Sequence, residues 1–224
     1  MKKSTFVFTV FGVLVVASQV QATTIFSDNF NTENFGNGAL NYGTDNNTSF
    51  QNWTVAPGTV DLIGNGYFDY LTATGQTGHG LYVDMDGSAS LAGTMTSITL
   101  NLAPGQYILS YGLAGNSTYY PGFPYGTFPG PDTVNVSVKV GLASATYSLP
   151  STAPYLVYNL PFTVSSTTSA NIVFQGTGSD NVGLLLDDVK LEKVPDSGNT
   201  AMLLGLGMIG MVSVTWLRGR QVIS

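Results

Sequence analysis

Cysteine is absent from this chain, which excludes disulfides, thiolate metal sites and a cysteine nucleophile. Histidine occurs once, as His79 between Gly78 and Gly80. One imidazole cannot build a usual zinc site without several carboxylates beside it. No serine stands in a nucleophile-elbow context, so His79 reads as a loop residue without catalytic duty. Charge is also scarce, at 9% of residues, and it leans one way. Between Thr23 and Lys193, twelve acids stand against Lys139, Lys190 and Lys193, a net charge of −9. Such an acidic surface argues against nucleic acid and anionic lipid as partners, and suits a soluble or cation-binding role. A phosphate-binding loop, a dinucleotide fingerprint, an internal repeat and a convincing helical period in the middle of the chain are missing too.

What fills the middle is Thr, Ser, Val, Tyr and Gly in alternating segments broken by turn residues. Ile25 to Phe30 reads as a first strand, and Asn31 to Asn47 as a loop dense in Asn and Gly. Phe50 to Val55 and Thr59 to Ile63 read as a hairpin around Pro57-Gly58, and Gly80 to Met85 as a short strand. Thr96, Ile98, Leu100 and Leu102 alternate, then Ala103-Pro104-Gly105 turns the chain into Gln106 to Ala114, where Tyr107, Leu109, Tyr111 and Leu113 share a face. Val134, Val136, Val138 and Val140 alternate with Asn135, Ser137 and Lys139, the pattern of a half-buried strand. Tyr147 to Leu149, Leu156 to Val164, Asn171 to Phe174 and Val182 to Glu192 complete the set. Short strands at this spacing, without helices, predict an all-β, two-layer antiparallel β-sandwich.

The two ends differ from the middle. Lys2 and Lys3 precede an apolar run from Phe6 to Ala17, and Val20-Gln21-Ala22 supplies small residues at positions −3 and −1 of a signal-peptidase site. Residues 1–22 are therefore expected to be a signal-peptide helix, and 23–193 an exported domain. At the other end, Ala201 to Leu217 carries no charge and covers roughly 25 Å as a helix. A transmembrane helix over about residues 200–217 is expected, within a C-terminal segment 194–224. Arg218 and Arg220 follow the span, which places the C-terminus in the cytoplasm and the chain before Val194 outside. A buried C-terminal core helix is the alternative.

Val194-Pro195-Asp196-Ser197-Gly198, followed by the apolar span and its arginines, resembles the PEP-CTERM sorting signals of Gram-negative bacteria in their VPDSG-CTERM variant. The resemblance implies recognition, and cleavage near the motif, by an exosortase after signal peptidase has acted. The span is then an initial inner-membrane anchor, and the domain passes through the periplasm to the cell surface or extracellular matrix. Asn52-Trp53-Thr54-Val55 through Gly64, Tyr82 to Ser88, and Leu184 to Leu191 are similar to galactose-binding-like jelly rolls found in many such proteins. Carbohydrate-binding modules share that fold, so a non-catalytic structural or adhesive domain and a module for exopolysaccharide are both implied.

Three groups of residues bear on chemistry. Asp187 is expected to share a strand face with Val189 and Leu191, with Asp188 pointing the other way. Related jelly rolls often hold a structural calcium between their first and last strands, so the resemblance offers Asp28, Asp187 and Asp188 as ligands; carboxylates hydrogen-bonded to backbone N–H groups are the alternative. No cofactor is required. Asp84 and Asp86 lie two apart, but both come from one strand, which is poor geometry for flanking a glycosidic bond, so no enzyme is expected. Tyr119, Tyr120, Phe123, Tyr125 and Phe128 crowd among prolines, either as rings that stack on a glycan or partner, or as a loop burying its own rings.

Overall fold

The computed structural model describes residues 21–33, 50–64, 69–87, 91–116, 131–179 and 181–195. The flanking segments 1–20 and 196–224, with the expected signal helix, transmembrane helix, Asp196, Ser197, Gly198, Arg218 and Arg220, lie outside them. So does the stretch containing Tyr119, Tyr120, Phe123, Tyr125 and Phe128. Ala22–Val194 forms one compact unit. In chain order its elements are β1 (Thr23–Asp28), β2 (Trp53–Val55), β3 (Asp61–Gly64), α1 (Tyr70–Ala73), β4 (Leu81–Asp84), β5 (Thr94–Ser97), β6 (Leu100–Leu102) and β7 (Gly105–Ala114). They continue with β8 (Asp132–Val138), α2 (Lys139–Leu142), β9 (Ala143–Leu149), β10 (Leu156–Val164), β11 (Thr168–Ala170), β12 (Ile172–Thr177) and β13 (Leu185–Val194).

The domain is an all-β, two-sheet antiparallel sandwich. A six-stranded sheet runs β10-β7-β13-β4-β3, with β1 also on β13; a five-stranded sheet runs β2-β5-β12-β8-β9. β6 and β11 make a separate pair. On the side of β13 away from β7, β4 pairs with Leu185 and Leu186 while β1 pairs with Val189 to Lys193, so two short strands share one edge.

The alternating segments put one row inward from each sheet. Tyr107, Leu109, Tyr111 and Leu113 come from β7, and Val134, Val136 and Val138 from β8; all are buried against Trp53, Phe174, Leu186 and Leu191. Each such aliphatic side chain contributes about 1.5–3 kcal/mol by leaving water. Phe174 sits edge-on to Tyr111 at 5.3 Å, an arrangement favoured by the ring quadrupoles.

Three local expectations fail. Phe50 to Ile63 is not a hairpin: β2 pairs with β5 in one sheet, and β3 with β4 in the other. Trp53, Val55 and Leu62 all face one core from opposite layers, and alternation alone does not reveal which layer a strand joins. The run Thr96 to Leu102 is likewise two strands, with Ile98 50% exposed at the break between β5 and β6. Strand β8 ends at Val138, because Lys139 takes a φ of 44° and opens the single turn of α2.

Candidate functional site

The segment from Asp69 to Gly80 lies over the outer face of the six-stranded sheet. Asp69 caps α1 by accepting from the Thr72 N–H at 3.1 Å, and the Tyr82 hydroxyl accepts from the Leu71 N–H at 3.1 Å. Leu71 packs with Ile63, Tyr82, Ala114 and Leu185, a second apolar cluster beneath the segment. Gln76 holds the neighbouring loop by accepting from the Tyr155 N–H. His79 then arrives at Tyr155, with ring centroids 4.2 Å apart, and at Asp187, whose Oδ2 is 3.4 Å from the imidazole Nδ1.

A β-bulge in β13 makes this meeting possible. Leu185 faces outward into the second cluster and Leu186 inward to the main core, so Asp187 faces outward. Between Asp187 and Lys190 the register with β7 slips, and Asp188 takes a φ of 50°. The slip resets the alternation, so Val189 and Leu191 face the core. The expected common face for Asp187, Val189 and Leu191 is corrected accordingly. Both carboxylates reach the same patch, and with His79 their ligand atoms all lie within 4.8 Å of one another. Asp188 Oδ2 accepts from the Tyr155 hydroxyl at 2.8 Å, and the Asp188 N–H donates to Asp187 Oδ1 at 2.7 Å. Gly112 lies beneath, where any Cβ would collide with the Tyr155 ring. Asp187 is 1% exposed, and Oδ2 has no hydrogen-bond donor. Burial, with the Asp188 charge beside it, pushes the Asp187 carboxyl up to about 8.

Asp28 projects from the opposite face of the same sheet. Its Oδ1 accepts from the Phe30 N–H at 2.9 Å, and its Oδ2 from Trp53 Nε1 at 2.9 Å and Asn52 Nδ2 at 3.1 Å. These donors come from the chain beyond β1 and from the other sheet's first strand, so Asp28 ties the two layers. Asp84 is buried at the end of β4. It accepts from the Asp86 and Gly183 N–H groups on Oδ1 and from Asn116 Nδ2 on Oδ2, and burial raises its carboxyl well above the ordinary range. Asp86 is 1% exposed. Both acids are buried, and Asp84 is held by donors from three separate segments of the chain. Val194 ends β13 opposite Gln106, and Pro195 follows it.

The outer face of the five-stranded sheet has a different character. Thr54 of β2 stands opposite Thr96 of β5; Val173 and Gln175 of β12 stand opposite Thr96 and Thr94 on one side and Ser137 and Asn135 of β8 on the other. Across β8 and β9 the outward pairs are Thr133 with Ser148, Asn135 with Thr146, and Ser137 with Ser144. The described outward residues of these strands include no charged side chain, and exposed Lys139 follows at the end of β8. Part of it is held in place: the Thr146 hydroxyl donates to Asn135 Oδ1 at 2.8 Å, and the Thr177 hydroxyl to the Thr133 carbonyl at 3.1 Å. Strand β8 displays this pattern in sequence, while Ser144 and Thr146 of β9 and Gln175 of β12 fall outside the expected strands, and the pairing that joins them into one surface is not visible there.

No protein-family model matches the chain, and no curated protein matches it in sequence. Among solved structures it is similar to the CBM22-1 xylan-binding domain of Paenibacillus barcinonensis Xyn10C, at 11% identity over 79% of this chain and 97% of that one, with a TM-score of 0.43. It is also similar to TmCBM61 in complex with β-1,4-galactotriose, at 12% identity over 65% of this chain and 90% of that one, TM-score 0.44. A third similar structure is the carbohydrate-binding module CBM6cm-2 of Cellvibrio mixtus lichenase 5A with cellotriose, at 13% identity over 63% and 91%, TM-score 0.38. At these levels individual residues do not map from one chain to another.

Proposed function

We propose that this domain is a non-catalytic module that binds an uncharged polysaccharide, on an exported chain delivered to the cell surface or matrix. The observation that carries the reading is the uncharged outer face of the five-stranded sheet, in a domain whose net charge is strongly negative. Hydroxyl and amide side chains both donate and accept, which matches the mixed donors and acceptors of sugar hydroxyls. They are also cheaper to desolvate than carboxylates or ammonium groups, so a neutral chain can lie on them without stranding a charge. Neighbouring strands place these groups about 4.8 Å apart, in a regular array suited to a repeating polymer. The fold alone would not justify the reading, because sandwiches host many unrelated activities.

Among its described outward residues the face has no aromatic ring, so stacking would have to come from elsewhere. Tyr119, Tyr120 and Tyr125, outside the described residues, are the proposed source. Sorting through Val194 to Gly198 by an exosortase, with a temporary anchor over about residues 200–217, is the proposed route of delivery. Affinity gels containing neutral β-glucan or xylan test the binding. The wild type should be retarded, and Asn135→Lys with Gln175→Lys should migrate as in a blank gel. A wild type that runs freely in every neutral polysaccharide overturns the reading in favour of a purely structural matrix protein.

A further inference from the structure

On the opposite outer face, the bulged end of β13 and the segment after α1 meet in a way the polysaccharide reading does not use. We propose that His79, Asp187 and Asp188 form a three-ligand site for a divalent first-row transition-metal cation, of which Zn2+ is the natural probe. One nitrogen and two carboxylate groups converge within 4.8 Å. The 3.4 Å between His79 Nδ1 and Asp187 Oδ2 is longer than the roughly 2.7–3.2 Å of a hydrogen bond, and a charged pair would close further still. It does match the separation of two ligands on one tetrahedral ion: bonds of about 2.0–2.2 Å put neighbouring ligand atoms roughly 3.3–3.6 Å apart.

A second observation points the same way. Asp187 Oδ2 is buried, accepts no hydrogen bond, and is directed at the imidazole. An orphaned carboxylate oxygen beside a second carboxylate is costly unless a proton or a cation neutralises it, and a cation can serve both carboxylates at once. The surroundings also hold the ligands in place. The Tyr155 hydroxyl holds Asp188, and the Asp188 N–H holds the far oxygen of Asp187, leaving its near oxygen for a metal. The imidazole decides between ion classes, since calcium and magnesium take oxygen ligands while zinc and its neighbours accept nitrogen readily. Three protein ligands leave a fourth position for water or a ligand. The ion would staple the Asp69–Gly80 segment to β13 across a sequence gap that no disulfide can close in this cysteine-free chain.

The single histidine makes the test direct. Full-length protein stripped with EDTA is titrated with ZnCl2 by calorimetry while the imidazole C–H proton signals are followed by NMR. One zinc per chain is expected, with both imidazole signals shifting at the same stoichiometry. His79→Gln and Asp188→Asn should each weaken binding at least tenfold, while the metal-free variants unfold as the wild type does. A tenfold excess of calcium should leave the imidazole signals in place. The assignment is overturned by imidazole signals unmoved by zinc, by either folded variant binding as the wild type does, or by calcium producing the same shift. The imidazole readout on the wild type stands even if a variant does not fold.

Discussion

The two outer faces of this sandwich were built from the same kind of strand and ended up chemically opposed. The six-stranded face carries Asp187, Asp188, Lys190 and Glu192, a helical turn and the only histidine. The five-stranded face carries only hydroxyls, amides and one valine among its described outward residues. Among the described outward strand residues, charge thus lies on the six-stranded sheet and not on the five-stranded one. The contrast teaches that a small stock of charged residues can leave one whole surface free for a neutral partner while the other gathers groups able to hold an ion.

The largest expected effect removes the frame on which both faces depend. Asp28→Ala leaves the Trp53 indole N–H and the Phe30 N–H without their buried acceptor, and should destabilise the domain by about 3 kcal/mol or more, read as a lower urea midpoint. Next is a pair of charge insertions that should act unequally. Gln175→Lys with Asn135→Lys should abolish retention on neutral polysaccharide at a stability cost under about 1 kcal/mol. Thr163→Lys, exposed on the six-stranded sheet, should leave retention unchanged; equal losses from both would erase the distinction between the faces.

A third test uses pH, to which only one face should respond. The Asp187 carboxyl is pushed up to about 8, so the metal-free folded state holds this proton more tightly than the unfolded chain. The corresponding stability is fully present below the ordinary carboxylate range and is lost as pH rises through about 8. His79, Asp188 and the Tyr155 hydroxyl face this group, and Asp187→Asn should make the slope shallower in EDTA-treated protein melted from pH 5 to 8.5, the remainder coming from the buried Asp84 carboxyl, which is also raised. The smallest effect belongs to Thr146→Ala, which frees Asn135 from its cross-strand partner. It should cost about 0.5 kcal/mol and weaken retention only slightly.

Much of the fold is legible in the chain because buried rows repeat every second residue. Leu156 to Val164 forms a strand with the expected bounds, and the rows from Tyr107 to Leu113 and Val134 to Val138 are buried as their alternation predicts. What alternation omits is the layer to which a strand belongs, hence the failed hairpin at Phe50 to Ile63 and the broken run at Ile98. It also assumes an unbroken register, and the bulge at Asp188 violates that assumption at the site itself. His79 reads as a loop residue without catalytic duty because its carboxylate partners lie more than a hundred positions away, and only the closing strand brings them to it. The neutral face is visible in part, as Asn135 and Ser137 among the alternating valines, but Ser144 and Thr146 fall outside the expected strand Tyr147 to Leu149, and the extent of the face depends on pairing across the whole sheet.

The most direct test of the central claim is a residue-level map of sugar contact. Soluble neutral glucan and xylan oligosaccharides are added to 15N-labelled protein, and amide and side-chain amide signals are followed. Saturable shifts should cluster on Thr96, Asn135, Ser137, Thr146 and Gln175, with Lys190 and Glu192 unmoved. Shifts confined to the six-stranded face, or absent from the five-stranded face while the protein is bound, would contradict the claim.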